Sequence, residues 1–271
     1  MPSKIGWTNE TWNPVIGCKA VSEGCRNCYA ETIAAGFASK GINHYGDVAN
    51  STTGKWRGNA KYIPERLGKP KQWKKPKMIF VCSMSDLFHP DVPDSALAEI
   101  FGVMRETNQH QYQVLTKRPE RVVEVQGWLD IPPHVWIGTS IENNKVLHRV
   151  EELRQIKADI RFLSCEPLLE DISVDLKKHL GYVHWVIVGG ESGPNHRPME
   201  YQWVHNLYIE CQIREVPFFF KQWSHKRPNQ GEFCLPGHED PIENEYPIKG
   251  FGEEIPIEVQ TKPRKKQLTL F

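Results

Sequence analysis

Met78-Ile79-Phe80-Val81-Cys82-Ser83-Met84-Ser85-Asp86-Leu87-Phe88-His89 carries the clearest sign of the architecture of this protein. A continuous apolar run, typical of a strand buried on both faces, gives way at once to hydroxyl and carboxylate side chains. Apolar residues at helical spacing follow, at Leu97, Ile100, Phe101 and Met104, after the capping signal Asp94-Ser95. The stretch and the residues that follow it therefore predict a strand, a polar loop and a helix.

The same order recurs along most of the chain. Further β-rich runs occupy residues 112–115, 135–138, 160–163, 184–188 and 216–220, and a second clear helical pattern spans 146–156. With the apolar run that reaches Gly17, these segments make about seven βα units. Buried strands that alternate with helices form a parallel sheet covered by helices. We therefore expect an α/β fold, a partial or complete TIM-type barrel.

Polar residues follow each of these strands. They occupy residues 83–90, 116–119, 139–143, 164–167, 189–197 and 221–223. The carboxyl ends of parallel strands meet at one rim, which is where barrel enzymes carry their chemistry. Loop polarity or helix capping would explain any one cluster, but the recurrence of the clusters on one face predicts an active site at this rim.

Composition limits the class of protein. The chain has 271 residues, of which 39% are hydrophobic and 25% charged, as in soluble globular proteins. No apolar run has membrane-spanning length, and the N-terminus lacks a signal-peptide pattern. The seven cysteines include four scattered singly, so a disulfide framework is not expected. We expect a cytoplasmic protein without a membrane partner.

Cys18, Cys25 and Cys28 form a dense group in a loop that follows the first apolar run. Zinc is one interpretation, because Cys25-x-x-Cys28 is a frequent half-site of zinc centres. A structural zinc needs four ligands, however, and no second half-site occurs in the sequence. His44 or Cys82 would have to complete it. Three reduced thiols without a metal are a second alternative. A third is a [4Fe–4S] cluster with one iron left open.

The cysteine loop resembles that of the radical S-adenosylmethionine (SAM) superfamily, in which three cysteines follow the first strand of a partial TIM barrel. A narrower resemblance, to an uncharacterised family of phage and bacterial proteins, spans residues 5 to about 224. It rests on segments 7–8, 11–14, 24–25, 28–30, 83–89, 115–119 and 189–193. That family is regarded as related to the branch that contains spore photoproduct lyase. This chain departs from the superfamily pattern in having six residues, not three, between the first two cysteines, and Asn27 before the last.

The resemblance implies that Cys18, Cys25 and Cys28 hold the cluster and that SAM binds the fourth iron. It assigns the methionyl ammonium to Ser83, Ser85 and Asp86, the ribose to Thr139, Ser140 and Glu142, and the adenine side to Gly189, Gly190 and Glu191. The alternative role for these nine residues is capping at the rim or support of the side chains that contact the ligand. The resemblance also implies an electron donor such as flavodoxin or ferredoxin, and a 5′-deoxyadenosyl radical that abstracts hydrogen from substrate.

Basic residues suggest an anionic substrate. At the rim, the candidates are Lys117, Arg118, His196, Arg197 and Lys221, with ordinary surface charge as the alternative. Within a long insertion at 43–77, the segment from Lys55 to Lys77 contains nine Lys or Arg and one acidic residue, with tryptophans interleaved. Cations neutralise phosphates and aromatic rings stack on bases, so Lys55, Trp56, Arg57 and Trp73 are candidate nucleic-acid contacts. A solvated basic surface anchored by its tryptophans is the alternative.

The chain ends in Gln267-Leu268-Thr269-Leu270-Phe271, behind the basic run 262–266. This pentapeptide resembles the bacterial sliding-clamp-binding motif, which would engage the clamp through Gln267, Leu268, Leu270 and Phe271. Exposed apolar side chains at a chain end are unfavourable in water, so we expect them to bind in a hydrophobic groove. The alternative to a groove on the clamp is that they pack on this protein's own barrel.

We therefore predict a barrel domain over residues 1–223 and an irregular C-terminal extension over 224–271. The leading hypothesis is a radical SAM iron–sulfur enzyme for DNA or nucleotide base repair or modification, acting on a flipped-out or single-stranded base. A zinc-stabilised nucleic-acid- or clamp-binding protein without catalytic activity is one alternative. A radical SAM enzyme for a small metabolite is the other.

Overall fold

The computed structural model describes residues 5–247. Within this range the strands are β1 (Glu10–Trp12), β2 (Val15–Ile16), β3 (Ala49–Asn50), β4 (Lys55–Trp56), β5 (Lys61–Tyr62), β6 (Met78–Val81), β7 (Gln111–Thr116), β8 (Val135–Ser140), β9 (Arg161–Cys165), β10 (Trp185–Gly189) and β11 (Phe218–Gln222). The α-helices are α1 (Tyr29–Ser39), α2 (Tyr45–Val48), α3 (Asp94–Glu106), α4 (Pro119–Val125), α5 (His148–Arg154), α6 (Ser173–Leu176) and α7 (Tyr201–Ile213).

Seven strands form one parallel sheet in the order β1-β6-β7-β8-β9-β10-β11. Strand order follows chain order throughout, with β2 to β5 outside this sheet. This order is expected when each connection returns the chain to the next position. The sheet curls into a half-barrel, so the expected α/β TIM-type architecture is confirmed in its partial form. The first strand lies earlier than the apolar run near Gly17 suggests, because β2 pairs with β5 outside this sheet.

The two faces of the curled sheet bury different side chains. The outer face and its helices share a large aliphatic core that includes Ile79, Val114, Ile137, Leu163 and Val186. The inner face holds a smaller, aromatic cluster of Trp7, Met78, Phe80, Trp136, Phe162, Trp185, Ile187 and Phe219. These mainly aromatic residues fill the amino-terminal half of the barrel interior. The carboxyl-terminal half is left for polar side chains.

The insertion at 43–77 and the described part of the C-terminal extension both pack on edges of the sheet. Lys69 Nζ donates to the carbonyl of Thr11 on β1 at 2.8 Å. At the other edge, the backbone nitrogen of Glu245 donates to the carbonyl of Phe218 on β11 at 2.9 Å. An uncovered edge strand is a template for aggregation, so both segments protect the half-barrel. The domain boundary at 223/224 stays a prediction.

None of the helices in residues 5–247 combines the length and hydrophobicity needed to span a bilayer. The candidate clamp-binding residues Gln267, Leu268, Leu270 and Phe271 lie outside the described residues, so their role stays a prediction.

Candidate functional site

A cavity of about 730 Å³ opens at the carboxyl ends of the barrel strands. Its size falls within the range of about 300–1,000 Å³ that is common for ligand sites. Cys18, Cys25 and Cys28 all line it, together with residues that follow β6, β7, β9 and β10. Trp7, Phe80 and Leu115 form its apolar floor. The three cysteines and the polar rim therefore belong to one site.

The polar interior of this cavity follows from the two-residue period of the strands. On β9, Phe162 packs in the inner aromatic cluster, so Ser164 and then Glu166 face inward above it. On β11, Phe219 lies in the same cluster and Lys221 faces the cavity.

Glu166 and Lys221 meet across β10, which lies between their strands. Lys221 Nζ is 2.6 Å from Glu166 Oε1, and Ser164 Oγ donates to Glu166 Oε2 at 3.0 Å. Gly189 of β10 lies beneath this ion pair. A Cβ atom there would come within 2.8 Å of Glu166 Oε1, so the glycine leaves the space in which the two side chains cross.

The cysteine loop (residues 18–28) begins at a backbone position that only glycine satisfies. Gly17 has φ +86°, and a Cβ atom on it would lie 2.5 Å from the carbonyl oxygen of Asn59. Ser85, which follows β6, donates from Oγ to the carbonyl of Gly17 at 2.5 Å. The start of the loop is therefore held between the insertion and the rim.

The first of three buried carboxylates that support the loop is Asp86. Its four hydrogen-bond donors are Thr116 Oγ1 (2.7 Å), Arg118 Nη1 (2.8 Å), and the backbone nitrogens of Phe88 and Lys117 (3.0 Å each). Arg118 then donates from Nη2 to the carbonyl of Lys19 in the loop at 3.0 Å. Asp86 thus acts on the loop through Arg118, and its acceptor positions are filled.

Glu142, after β8, is fully buried and contacts the loop directly. Its Oε1 accepts hydrogen bonds from Ser22 Oγ and from the backbone nitrogen of Gly24, the latter at 3.3 Å. Its Oε2 lies 3.3 Å from Lys117 Nζ and 3.1 Å from Arg149 Nη1. Burial by itself would raise the pKa of Glu142, but Lys117, Ser22 and Arg149 outweigh it and hold the pKa below the ordinary value.

Glu191, after β10, supports the end of the loop. Its Oε2 accepts from Asn27 Nδ2 at 2.8 Å, and Arg197 Nη2 lies 2.6 Å from its Oε1. Arg197 also donates from Nη2 to the carbonyl of Glu23 at 3.1 Å. Burial would raise the pKa of Glu191, and the hydrogen bonds from Arg197 and Asn27 lower it below the ordinary value. Three strand ends therefore hold the start, middle and end of the loop.

The thiols fit the donor chemistry of an iron–sulfur cluster. Burial is the main cause that raises the pKa of Cys18 to about 12, and burial also raises the pKa of Cys28. Without a metal both thiols are protonated at neutral pH, and a bound metal would displace those protons. In the part of the chain that the structure describes, no three His, Cys, Asp or Glu side chains converge closely enough for a single ion. A cluster does not need that convergence, because each thiolate binds a different iron.

Most of the residues singled out from the sequence come together at this cavity. Those that line it are Cys18, Cys25, Cys28, Lys55, Trp56, Ser83, Ser85, Asp86, Lys117, Arg118, Ser140, Gly190, Glu191 and Lys221. Those that lie outside its lining are Arg57, Trp73, Thr139, Glu142, Gly189, His196 and Arg197.

Several of the residues outside the lining have structural partners. Thr139 is buried and donates from Oγ1 to the carbonyl of Thr116 at 2.9 Å. Trp73 packs against the outer core and meets His110 edge to face, with ring centroids 6.0 Å apart. His196 Nδ1 lies 2.8 Å from the carbonyl of Gly193.

Sequence reasoning missed Glu166, Ser22 and Asn27. Glu166 belongs to one of the polar rim clusters, so its place after β9 was a usable signal. Asn27 stands out in the sequence only as a departure from the superfamily pattern, and nothing local marks Ser22. Their partners, Glu191 and Glu142, lie far away in the chain.

Known proteins provide two kinds of similarity. The fold is similar to that of spore photoproduct lyase: one mutant of that enzyme aligns with a TM-score of 0.51 at 10% identity, covering 76% of this chain and 74% of that one. A second mutant gives 0.50 at 13% identity, covering 77% and 63%. No curated protein matches this sequence. The family model described as "Protein of unknown function (DUF5131)" matches residues 2–268, and the chain therefore belongs to the DUF5131 family.

Proposed function

We propose that this protein is a radical SAM enzyme, with a [4Fe–4S] cluster held by Cys18, Cys25 and Cys28 and with SAM as its second cofactor. One observation carries the proposal: the three thiols line a single cavity at the carboxyl end of a half-barrel. That half-barrel is the fold of spore photoproduct lyase, a radical SAM enzyme. The donor set supports the same conclusion, because soft thiolates favour iron–sulfur clusters.

When bound, the cluster and SAM would supply radical chemistry, in which a hydrogen atom is abstracted from the substrate. The chain's own residues then have three tasks. Asp86, Glu142 and Glu191 support the cysteine loop at three points, so that the thiols are placed before a metal binds. The apolar floor excludes water from the reacting groups. The polar side chains above the floor orient the substrate.

The support of the loop bears on how SAM would bind. Asp86 and Glu191 line the cavity, but protein donors already occupy their oxygens. Ser83, Ser140 and the backbone at Gly190 line the cavity as well. We assign the cofactor contacts to this second group, and the support of the loop to the carboxylates.

We propose DNA or a nucleotide as the substrate, on the basis of charge. Each carboxylate in the described lining of the cavity is ion-paired: Glu31 with Lys55, Asp86 with Arg118, Glu166 with Lys221, and Glu191 with Arg197. Three lining cations form no ion pair within residues 5–247: Lys19, Arg26 and Lys226. The cavity therefore carries an excess of positive charge, which favours a phosphate-bearing ligand.

Reductive cleavage of SAM tests the enzymatic proposal. Anaerobically purified protein, reduced with dithionite, should convert SAM into 5′-deoxyadenosine and methionine. A Cys25→Ser variant should lose this reaction, whereas Cys234→Ser, in a half-buried cysteine outside the cavity, should retain it. Equal activity in the two variants, or none in the iron-loaded wild type, would overturn the proposal.

A further inference from the structure

A second, more open groove of about 440 Å³ adjoins the mouth of the main cavity. It is lined by Lys19, Ala20, Cys25, Arg26, Glu31 and residues 55–58, and we call it the basic groove. Cys25 and Trp56 line both spaces, so the groove leads to the cavity.

Charge in the basic groove is strongly unbalanced. Its lining contains four basic side chains, Lys19, Arg26, Lys55 and Arg57, and one acidic side chain, Glu31. The carboxylate of Glu31 is already engaged by Lys55 Nζ at 2.7 Å and by the backbone nitrogen of Trp56 at 2.9 Å. The other three basic residues form no ion pair among the described residues. Three positive charges are thus available to a ligand.

Exposed apolar side chains line the main cavity that the groove joins. Tyr29 is 44% exposed and Ile33 is 41% exposed, and both line the main cavity on the α1 side. Trp56 is half-buried and lies where the two spaces meet. Cations that follow a backbone, with aromatic rings beside them, are the elements by which proteins bind single-stranded nucleic acids.

One ion pair in the main cavity has a different charge character from the unpaired cations. Lys221 and Glu166 neutralise each other and keep unused capacity. Lys221 Nζ has three donors and lies 2.6 Å from Glu166 Oε1, and the Glu166 carboxylate also accepts from Ser164 Oγ and keeps further acceptor positions. Such a pair suits a neutral group with both donors and acceptors, such as a nucleobase edge. Phosphate is therefore favoured at Lys19 and Arg26, which line both the groove and the cavity, and a base is favoured at the Lys221–Glu166 pair.

We infer that the basic groove binds the phosphates of a single nucleic-acid strand, and that one nucleotide of this strand enters the main cavity base first. This inference rests on the proposed function for its purpose, and it assigns Lys19, Arg26 and Arg57 as phosphate contacts. A duplex would have to open before its base could reach Glu166 and Lys221.

Salt-dependent binding of labelled oligonucleotides tests this inference. The full-length protein, purified anaerobically, is titrated into a fluorescein-labelled 12-nucleotide DNA strand, its RNA counterpart and the DNA duplex, and anisotropy is followed between 50 and 300 mM NaCl. Both the DNA strand and the RNA strand should bind more tightly than the DNA duplex. Each phosphate contact contributes about 0.7 to the slope of log K against log salt for single strands.

The variants separate the groove from general surface charge. Arg26→Gln/Arg57→Gln should lower the magnitude of the slope of log K against log salt by about 1.4. Arg57→Gln alone should lower it by about 0.7, and this residue lies far from the cysteines in sequence. The matched control is Lys74→Gln/Lys157→Gln, which removes two exposed lysines that line neither space. Its slope should stay that of the wild type.

Three results would overturn the inference: no binding of either strand, equal affinity for strand and duplex, or an equal loss of slope in the groove and control variants. Iron content and SAM cleavage are measured on the same preparations. If the protein cleaves SAM but fails these binding tests, only the inference about the basic groove is refuted. A protein that binds the strand through the groove but holds no iron refutes the enzymatic proposal alone.

Discussion

Glu142 Oε1 accepts a hydrogen bond from the backbone nitrogen of Gly24 at 3.3 Å, which joins the end of β8 to the middle of the cysteine loop. The same carboxylate is paired with Lys117 and Arg149, so it is fixed from two sides. Arg118 contacts the start of the loop and Glu191 contacts its end. Together with these two contacts, the Glu142–Gly24 hydrogen bond gives a defined conformation to the six residues between Cys18 and Cys25. Added loop length costs little entropy, and the three contacts supply the order.

Gly24→Ala should disturb the loop. A Cβ atom at this position would lie 2.9 Å from the Glu142 carboxylate, which is itself held by its ion pairs. We expect a loss of about 1–3 kcal/mol in the free energy of unfolding, and less iron retained after reconstitution. Urea unfolding and iron analysis measure both. Gly36→Ala in α1 is the control, since nothing lies within 4 Å of its added Cβ; it should be neutral or stabilising. Equal effects of the two changes would contradict this role of Glu142.

Glu142→Gln should change the response of stability to acid. The pKa of Glu142 is held below its ordinary value of 4.5 in the folded state, so the ionised form favours folding. This stabilisation is complete above the unfolded pKa and is lost as the pH falls through the folded pKa. The variant leaves Lys117 and Arg149 without a buried anion, which should cost about 3–5 kcal/mol at neutral pH.

Metal-free wild type and variant are compared by urea unfolding between pH 3 and pH 7. The difference in unfolding free energy between them should shrink below about pH 4.5, as the wild type loses its carboxylate charge. A difference that stays constant over this range would show that the charge of Glu142 does not stabilise the fold.

Much of the fold could be predicted because it depends on local patterns. Each central strand is a continuous apolar run, and β6, β7, β8, β9, β10 and β11 all lie where such runs occur. The first strand is harder to find: Glu10–Trp12 is three residues long and only Trp12 is buried, so the stronger apolar signal at Val15–Ile16 misleads.

The roles of the carboxylates could not be predicted in the same way. Asp86, Glu142 and Glu191 follow strands at the rim, where ligand-binding residues are expected. Whether such a group binds a ligand or supports a loop depends on its neighbours in space. Glu142 meets Gly24, 118 positions away, and Glu191 meets Asn27, 164 positions away. No local pattern records these pairings.

Lys221→Met should cost more stability than the removal of both charges of its pair. The single change leaves the Glu166 carboxylate, whose side chain is only 13% exposed, without its cation. In Glu166→Gln/Lys221→Met no charge remains unpaired, so part of the loss should be recovered. Urea unfolding of the wild type, both single variants and the double variant gives the coupling energy, about 0.5–3 kcal/mol for residues in contact. Strictly additive losses would rule out a stabilising pair.

Leu270→Ala/Phe271→Ala should abolish binding to a bacterial sliding clamp if the C-terminal Gln267-Leu268-Thr269-Leu270-Phe271 is a clamp-binding motif. The two apolar side chains are the anchors such a peptide would place in a hydrophobic groove. Thr269→Ala is the control and should bind as the wild type does, because Thr269 is not among the assigned contacts. Surface plasmon resonance with an immobilised clamp measures all three proteins. Absence of binding by the wild type would refute this assignment and leave the barrel unaffected.

Metal analysis of anaerobically purified protein tests the central proposal most directly. The wild type should contain about four irons per chain, absorb near 400 nm and, once reduced, give an electron paramagnetic resonance signal that changes on addition of SAM. Cys18→Ser, Cys25→Ser and Cys28→Ser should each lose most of this iron, while Cys234→Ser keeps it. Colourless protein with one zinc per chain, or iron that survives the loss of Cys18, Cys25 or Cys28, would contradict a radical SAM centre at these three cysteines.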